Sequence, residues 1–425
     1  MRPSLHFTAR TGWINDPHGI TYRDGEYHAF FQYVPDRTSW APNCHWGHAT
    51  GPDLLSLTET SVAIAPGDGD DGIWTGCLVV DGDETVIFYT ATSVPDFGIG
   101  RIRAARPVDA DWLEWRKGDV VVEAPSELDL VAFRDPFVCR EGDGWRMFVG
   151  AAHRDGTAMA LSWTSPDLRA WTYDGAVLSR STAEREPVWM GALWECPQFL
   201  KVDGVDVMVS SVWDADVLHY AGYATGAYRG GRFDAAGWGR LTYGEGYYAP
   251  SLFFDAEGRP CLSFWIRGVA DEQAGWAGAH SVPFLLSVAD GALVAAPHPD
   301  VAAHRGDRAA DGRVAGLAAD IEWDARGGEL EVTSGGDRVL RVVGNGDTAA
   351  VTIGDEEWTV PASGTLRVIL DGPVLELATA AGLFAATLHP AGDDLHVSAS
   401  AGTLEVFPLM TRSSSGGPVV GNRTE

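Results

Sequence analysis

Residues 23–33 read RDGEYHAFFQY, a charged pair closing on Gly25 and then a strand-like run of aromatic residues. The same unit returns as DGDETVIFYTA around Gly82, EGDGWRMFVGA around Gly144, VDGVDVMVSSV around Gly204 and AEGRPCLSFWI around Gly258. Each reads as a hairpin, because glycine adopts turn conformations that other residues resist and the run after it favours a pleated strand. Intervals of about 54–62 residues are too long for an α-solenoid repeat and suit a four-stranded blade with its connections. An α/β barrel would need helical segments of about ten residues or more between strands, and that periodicity is almost absent. The expected fold is all-β: a five-bladed β-propeller over residues 1–296, followed by a C-terminal β-sandwich.

A stretch rich in Pro, His and Asp, APHPDVAAHRGDRAADG, separates the two and sets a linker at 297–312. Beyond it come short strand-like runs such as GELEVTS, RVLRVVG, TLRVIL, VLELAT and TLEVFPL, divided by glycine turns, which place the sandwich at 313–410. Its Trp323 and Trp358 read as exposed aromatics. Residues 411–425, TRSSSGGPVVGNRTE, lack apolar periodicity and are expected to be disordered, with the Asn422 glycosylation match a chance occurrence.

Charge narrows the partners. The 425 residues carry a net charge of -28 and only two lysines, Lys117 and Lys201, which excludes the cationic surface that nucleic acid requires. No apolar run is long enough to span a membrane and the N-terminus has no apolar signal core, so a cytoplasmic location is expected. The five cysteines, at 44, 77, 139, 196 and 261, are odd in number and dispersed, as buried packing residues are.

Asp16 in WINDPHG, Asp135 in FRDPF and Glu195 in WECPQF each stand nine residues before a turn glycine, Gly25, Gly144 and Gly204. Equivalent positions in a circular repeat face a common axis, so the three acids are expected to meet. A lone Asp-Pro ordinarily caps a turn. Three acids among aromatics and prolines at one repeat position point instead to carboxylates whose pKa values are driven apart by burial and by one another. Retaining glycoside hydrolysis uses such a pair, about 5–5.5 Å apart.

At these residues the chain resembles glycoside hydrolase family 32, the β-fructosidases. WINDPHG resembles the family's WMNDPNG, FFQYVP its FFQYNP, HWGHATGPDL its WGHATSxDL, IWTGC its WSGS, FRDPF its RDP and WECPQF its EC box. GWAGAHSVP at 275–283 resembles the segment entering the linker, and ILDGPVLELATAAG at 369–382 resembles the sandwich signature. Departures fall at His18, Val34, Thr75 and Cys77, and in LTYGEGYYAP, where Thr242 and Gly246 replace acids.

The resemblance implies Asp16 as nucleophile, Glu195 as acid/base and Asp135 as the stabilising third carboxylate. Arg134 is expected to keep Asp135 ionised, and Cys196 to touch Glu195 through a weak S–H contact. Trp40, Trp74 and Trp265 match wall positions of a furanose pocket, and Asn15, Gln32 and Thr75 match hydroxyl-contacting ones. Trp46 is a weaker candidate, while His45 and His48 read as structural. No metal or cofactor is expected; the partner is a small sugar, and the chain is a monomer or homodimer. The leading expectation is a hydrolase of terminal β-D-fructofuranosides, sucrose and short fructo-oligosaccharides. The alternatives are a fructosyltransferase, an inverting arabinofuranosidase with a wider carboxylate gap, and a non-catalytic fructan-binding module.

Overall fold

The computed structural model describes residues 1–325 and 327–411, so residues 412–425, with the Asn422 match, lie outside the described residues. It is all-β, with one short helix, Pro299–Ala303, among the described residues. Three up-and-down sheets have four strands each: Gly72–Asp81 to Trp115–Val122, Leu130–Glu141 to Thr172–Ser181, and Leu193–Val202 to Arg232–Arg240. The remaining strands between Gly12 and Pro297 form one nine-stranded sheet, apart from Thr242–Tyr243.

That nine-stranded sheet joins the beginning of this unit to its end. The strand Trp276–His280 lies between Pro260–Asp271 and Gly12–Arg23, pairing Gly12 with Trp276 and Trp13 with Ala277 in parallel. Gly278 has φ 85°, and a Cβ there would lie 2.0 Å from the Ile14 carbonyl oxygen, so only glycine permits this approach. The segment 275–283 is therefore a central strand and its exit, not an approach to the linker. The strands Gly12–Arg23, Gly72–Asp81, Leu130–Glu141, Leu193–Val202 and Tyr247–Phe254 pack beside one another in that order, and the last returns to the first.

One hairpin turn differs from the sequence reading. Gly142 and Asp143 make the turn, with Gly142 at φ 58°, and Gly144 already belongs to the next strand. Counted to the first turn residue, Asp135 matches Cys196, and Glu195 stands one residue earlier. The apparent equivalence of all three acids rested on the wrong glycine.

Two six-stranded sheets, built from the eleven strands C-terminal to the helix and Thr242–Tyr243, share one apolar core of residues such as Ile321, Leu340, Val351, Val368, Leu377 and Phe384. Trp323 is fully buried there and donates its indole N–H to Ala401 O, which corrects its reading as an exposed aromatic; Trp358 is half-buried. The strands Arg313–Ala315, Ala318–Asp324 and Glu356–Pro361 join those expected from the sequence.

The two units share more than a linker. Thr242–Tyr243 pairs in parallel with Gly382–Thr387, and a Cβ on Gly246 would lie 2.1 Å from Ala385 O. The departure at Gly246 is thus required by the approach of the second unit. Thr242, the other departure, accepts the Ala221 N–H through its hydroxyl. Leu5, Tyr247, Trp276 and Val282 form one continuous core with Ile369, Val374 and Leu383.

Inside that apolar contact lies an ionic clamp. His6 Nδ1 is 2.9 Å from Asp371 Oδ2 and Nε2 is 3.1 Å from Glu376 Oε1, all three groups being buried. Asp371 also accepts the backbone N–H groups of Ser4, Leu5 and His6, and Glu376 that of Val282. Burial opposes the imidazolium, but the two carboxylates outweigh it and raise the His6 pKa to about 9, while His6 holds Asp371 below its usual value against burial. The acids of the 369–382 signature therefore secure the N-terminus. His6 stabilisation is complete below its unfolded pKa of about 6.5 and fades as pH rises through about 9; that of Asp371 is present above about pH 4 and lost in stronger acid. His6→Leu is expected to lower unfolding stability by about 3–5 kcal/mol at pH 6. In urea titrations the gap to wild type should shrink by pH 10.

Candidate active site

The five adjacent strands lose ladder register at one level, where two residues, or Thr75 alone, lie unpaired between regular pairs. These are Asn15 and Asp16, Thr75, Asp135 and Pro136, Cys196 and Pro197, and Ala249 and Pro250. Proline has no N–H to give the ladder, so each X-Pro step forces a bulge that re-aims the residue before it. Asp135, Cys196 and Ala249 accordingly have φ of 65°, 52° and 49°, in the left-handed region that non-glycine residues seldom occupy.

The bulges bring the three acids together. Cys196 Sγ is 3.8 Å from both Asp16 Oδ2 and Asp135 Oδ2, and Cys196 N–H donates to Asp135 Oδ2 at 3.0 Å. The thiol therefore touches the two aspartates and not Glu195, as the sequence had suggested. Arg134 also differs from expectation. Its guanidinium donates twice to Glu195 Oε1, at 3.1 and 2.9 Å, and makes no hydrogen bond to Asp135. One residue along a strand reverses side-chain direction, so adjacency in sequence is not adjacency in space.

Asn15, Gln32 and Thr75 form a closed circuit around Asp16. Asn15 Nδ2 donates to Asp16 Oδ1 and Gln32 Oε1, Gln32 Nε2 to Thr75 Oγ1, and Thr75 Oγ1 to Asp16 Oδ2 at 2.6 Å. These residues orient the carboxylate. Trp74 and Trp265 are buried in one cluster with Trp13 and Tyr248, whereas Trp40 is 44% exposed and meets Trp74 and Phe97 edge-on. Trp46 is wholly buried and donates to Trp74 O. His48 stacks on Phe30 and pairs with His28, away from the acids.

Tyr248 was missed by the sequence reading. Its hydroxyl donates to Glu195 Oε2 at 2.6 Å, so both oxygens of Glu195 are held, and its signal was the YYAP run of the quoted fifth box. Thr90 was also missed; its hydroxyl takes the Asp135 N–H and fixes the strained peptide. One Asp-Cys-His group, Asp255, Cys261 and His298, has metal-like spacing among the described residues. Arg259 already supplies the cation there, 2.6 Å from Asp255 Oδ2.

Electrostatics separates the acids. Burial raises Asp16 to about 6, with the Thr75 hydrogen bond opposing and Glu195 adding to the rise. Burial likewise lifts Asp135, to about 8, because Arg134 offsets only part of it and both neighbouring carboxylates repel its charge. Burial, then Asp135 and Asp16, push the Cys196 thiol well above its ordinary value. Carboxyl groups held in such different surroundings in an aromatic pocket can divide nucleophilic and proton-transfer roles.

Comparisons with known proteins bear on the family and the fold. Residues 6–297 match the Glycosyl hydrolases family 32 N-terminal domain. The chain is 30% identical over 315 residues to a sucrose-6-phosphate hydrolase of Escherichia coli, covering 69% of this chain and 64% of that protein. It is 33% identical over 322 residues to a cell-wall β-fructofuranosidase of Zea mays, covering 67% and 52%. Thus it spans less than two-thirds of the length of these relatives. The fold superposes on a Bombyx mori β-fructofuranosidase with TM-score 0.83 at 24% identity, covering 96% of this chain and 94% of that one. It superposes on fructan 1-exohydrolase IIa of Cichorium intybus with TM-score 0.79 at 19% identity, covering 96% and 97%. The class so defined is that of the all-β glycoside hydrolase families. Within that class, the chain belongs to glycoside hydrolase family 32.

The raised acids have a measurable cost. Asp135 favours the fold fully only below its unfolded pKa near 3.8, and that contribution is lost as pH rises to about 8. Asp135→Asn should therefore raise Tm by a few degrees at pH 8 and by less at pH 4, read by calorimetry.

Proposed function

We propose that the chain is a retaining β-fructosidase that hydrolyses terminal non-reducing β-D-fructofuranosides, sucrose and short fructo-oligosaccharides, without a cofactor. The observation that carries this reading is the convergence of Asp16, Asp135 and Glu195, with Arg134 and Tyr248 holding the last. The names of its relatives, sucrose-6-phosphate hydrolase, raffinose invertase and β-fructofuranosidase, support the substrate class. We read residues 1–296 as a five-bladed β-propeller with the site at its axis, 297–312 as a linker and 313–410 as a β-sandwich. No helix among the described residues is long and apolar enough to cross a membrane. The substrate is taken as a small sugar met in the cytoplasm.

In the first step the Asp16 carboxylate attacks the anomeric carbon while the bond to the leaving oxygen breaks and Glu195 gives that oxygen its proton. Asn15 and Thr75 hold the attacking carboxylate in line. Asp135, which keeps its proton below about pH 8, is read as hydrogen-bonding the fructosyl hydroxyls. In the second step Glu195 takes a proton from water, which attacks the fructosyl ester and frees Asp16. Trp74 and Trp265 wall the furanose, and the exposed Trp40 stands at the rim.

Fructose release from sucrose and 1-kestose should fall by roughly 10²–10⁴-fold in kcat for Asp16→Asn and for Glu195→Gln. Undiminished release by both would overturn the assignment. Because the nucleophile must be ionised, wild-type activity is expected to decline as pH drops through about 6. Tyr248→Phe removes a donor to the Glu195 carboxylate and leaves one of its oxygens unheld. On sucrose, kcat/KM of this variant at the optimum should be reduced roughly 10- to 100-fold by loss of a charged hydrogen bond.

A further inference from the structure

Against Asp135 lies a cavity of about 60 Å³, lined from all five bulged strands by His18, Thr75, Asp135, Cys196 and Ser251 among others. His18 stands where the family's first box has asparagine. It is 2% exposed, its ring lies 3.8 Å from that of Trp46, and neither of its ring nitrogens has a partner in the protein.

A neutral imidazole carries one donor and one acceptor, and buried polar groups of native proteins almost always find partners. Other polar side chains of this cavity are already committed: Gln198 bonds to Cys196 O, Pro250 O and the Leu252 N–H, and Thr75 is bound to Asp16 and Gln32. The cavity exceeds the roughly 10–15 Å³ that a single water needs, and it is polar on several sides. Through Ile20, Leu78, Phe137 and Leu252 it adjoins a chamber of about 1040 Å³ farther along the same strands, which those four residues also line.

We propose that His18 is a positioning residue that anchors a small water cluster on the axis, and that this cluster hydrogen-bonds the underside of Asp135. The open side of Asp135 is then left for substrate. The Cys196 N–H holds only one edge of that carboxyl group, so support from below fixes the plane in which it meets the sugar. Asparagine, with a donor and an acceptor on a shorter stem, can hold the same water. The neighbouring chamber provides a path by which that water exchanges without crossing the substrate pocket. The effect on catalysis rests on the β-fructosidase reading, but the water itself does not.

The test compares His18→Asn with His18→Leu, alongside a high-resolution crystal structure of the wild-type protein. Expected are ordered waters bridging His18 to Asp135, a His18→Asn enzyme within about threefold of wild type, and a His18→Leu enzyme whose kcat on sucrose falls roughly 10- to 100-fold with KM little changed, as misplacement of a supporting group predicts. Tm is measured for each. Should His18→Leu not fold, Ser251→Val, which narrows the cavity from the neighbouring strand, is expected to lower kcat in the same way. A dry cavity, or His18→Leu outperforming His18→Asn, overturns the proposal and leaves His18 a packing residue. Absence of sucrose hydrolysis by wild type, with the waters in place, would count against the enzymatic reading and not against the water site.

Discussion

A proline inside a β-strand has no N–H to give its neighbour, and in this chain that missing donor decides where the carboxylates go. The steps at Pro17, Pro136, Pro197 and Pro250 break four ladders at one height, and Thr75 breaks the fifth. Regular strands would alternate their side chains between the two faces of each sheet. Bulged ones turn Asp16, Asp135 and the peptide of Cys196 toward a shared interior. The polar circuit of Asn15, Gln32 and Thr75 and the grip of Arg134 and Tyr248 on Glu195 are possible only after that redirection.

The resulting site is an electrostatic compromise. Three acids share a small space with one guanidinium, and that guanidinium spends its hydrogen bonds on Glu195. Asp135 is left with burial and like charge, which is why its proton is held so firmly. Where the two units meet the arrangement is reversed: His6 lies between Asp371 and Glu376 and holds Asp371 in its charged form. One cluster of buried acids holds the molecule together, while the other works against folding and remains poised for chemistry.

Much of this was legible in the sequence, for physical reasons that can be named. Turn glycines and period-2 strands mark hairpins wherever they occur, and acids flanked by proline and aromatics announce the bulges. What escaped depends on register. EGDGWR offers two glycines, and only backbone geometry shows that Gly142 turns while Gly144 begins a strand. Arg134 follows strand alternation, not sequence proximity, and so reaches Glu195. Ala318–Asp324 places Ala319, Ile321 and Trp323 on one buried face, a pattern obscured by the acids between them, of which Asp320 is itself buried against Arg305 and Arg367. Tyr248 contacts its partner across 53 residues, a separation that no local pattern encodes.

The strand that joins the two ends of the nine-stranded sheet also imposes an order in time. Gly12 cannot meet Trp276 until the intervening chain has been synthesised, which at roughly 5–20 residues per second is a wait on the order of 15–50 s. Throughout that interval the Asp16 strand has one edge without its final neighbour, and such an edge readily recruits another chain. For a nascent protein of this design, the interval before the last strand arrives is the period of greatest exposure to aggregation, and chaperone protection would matter most then.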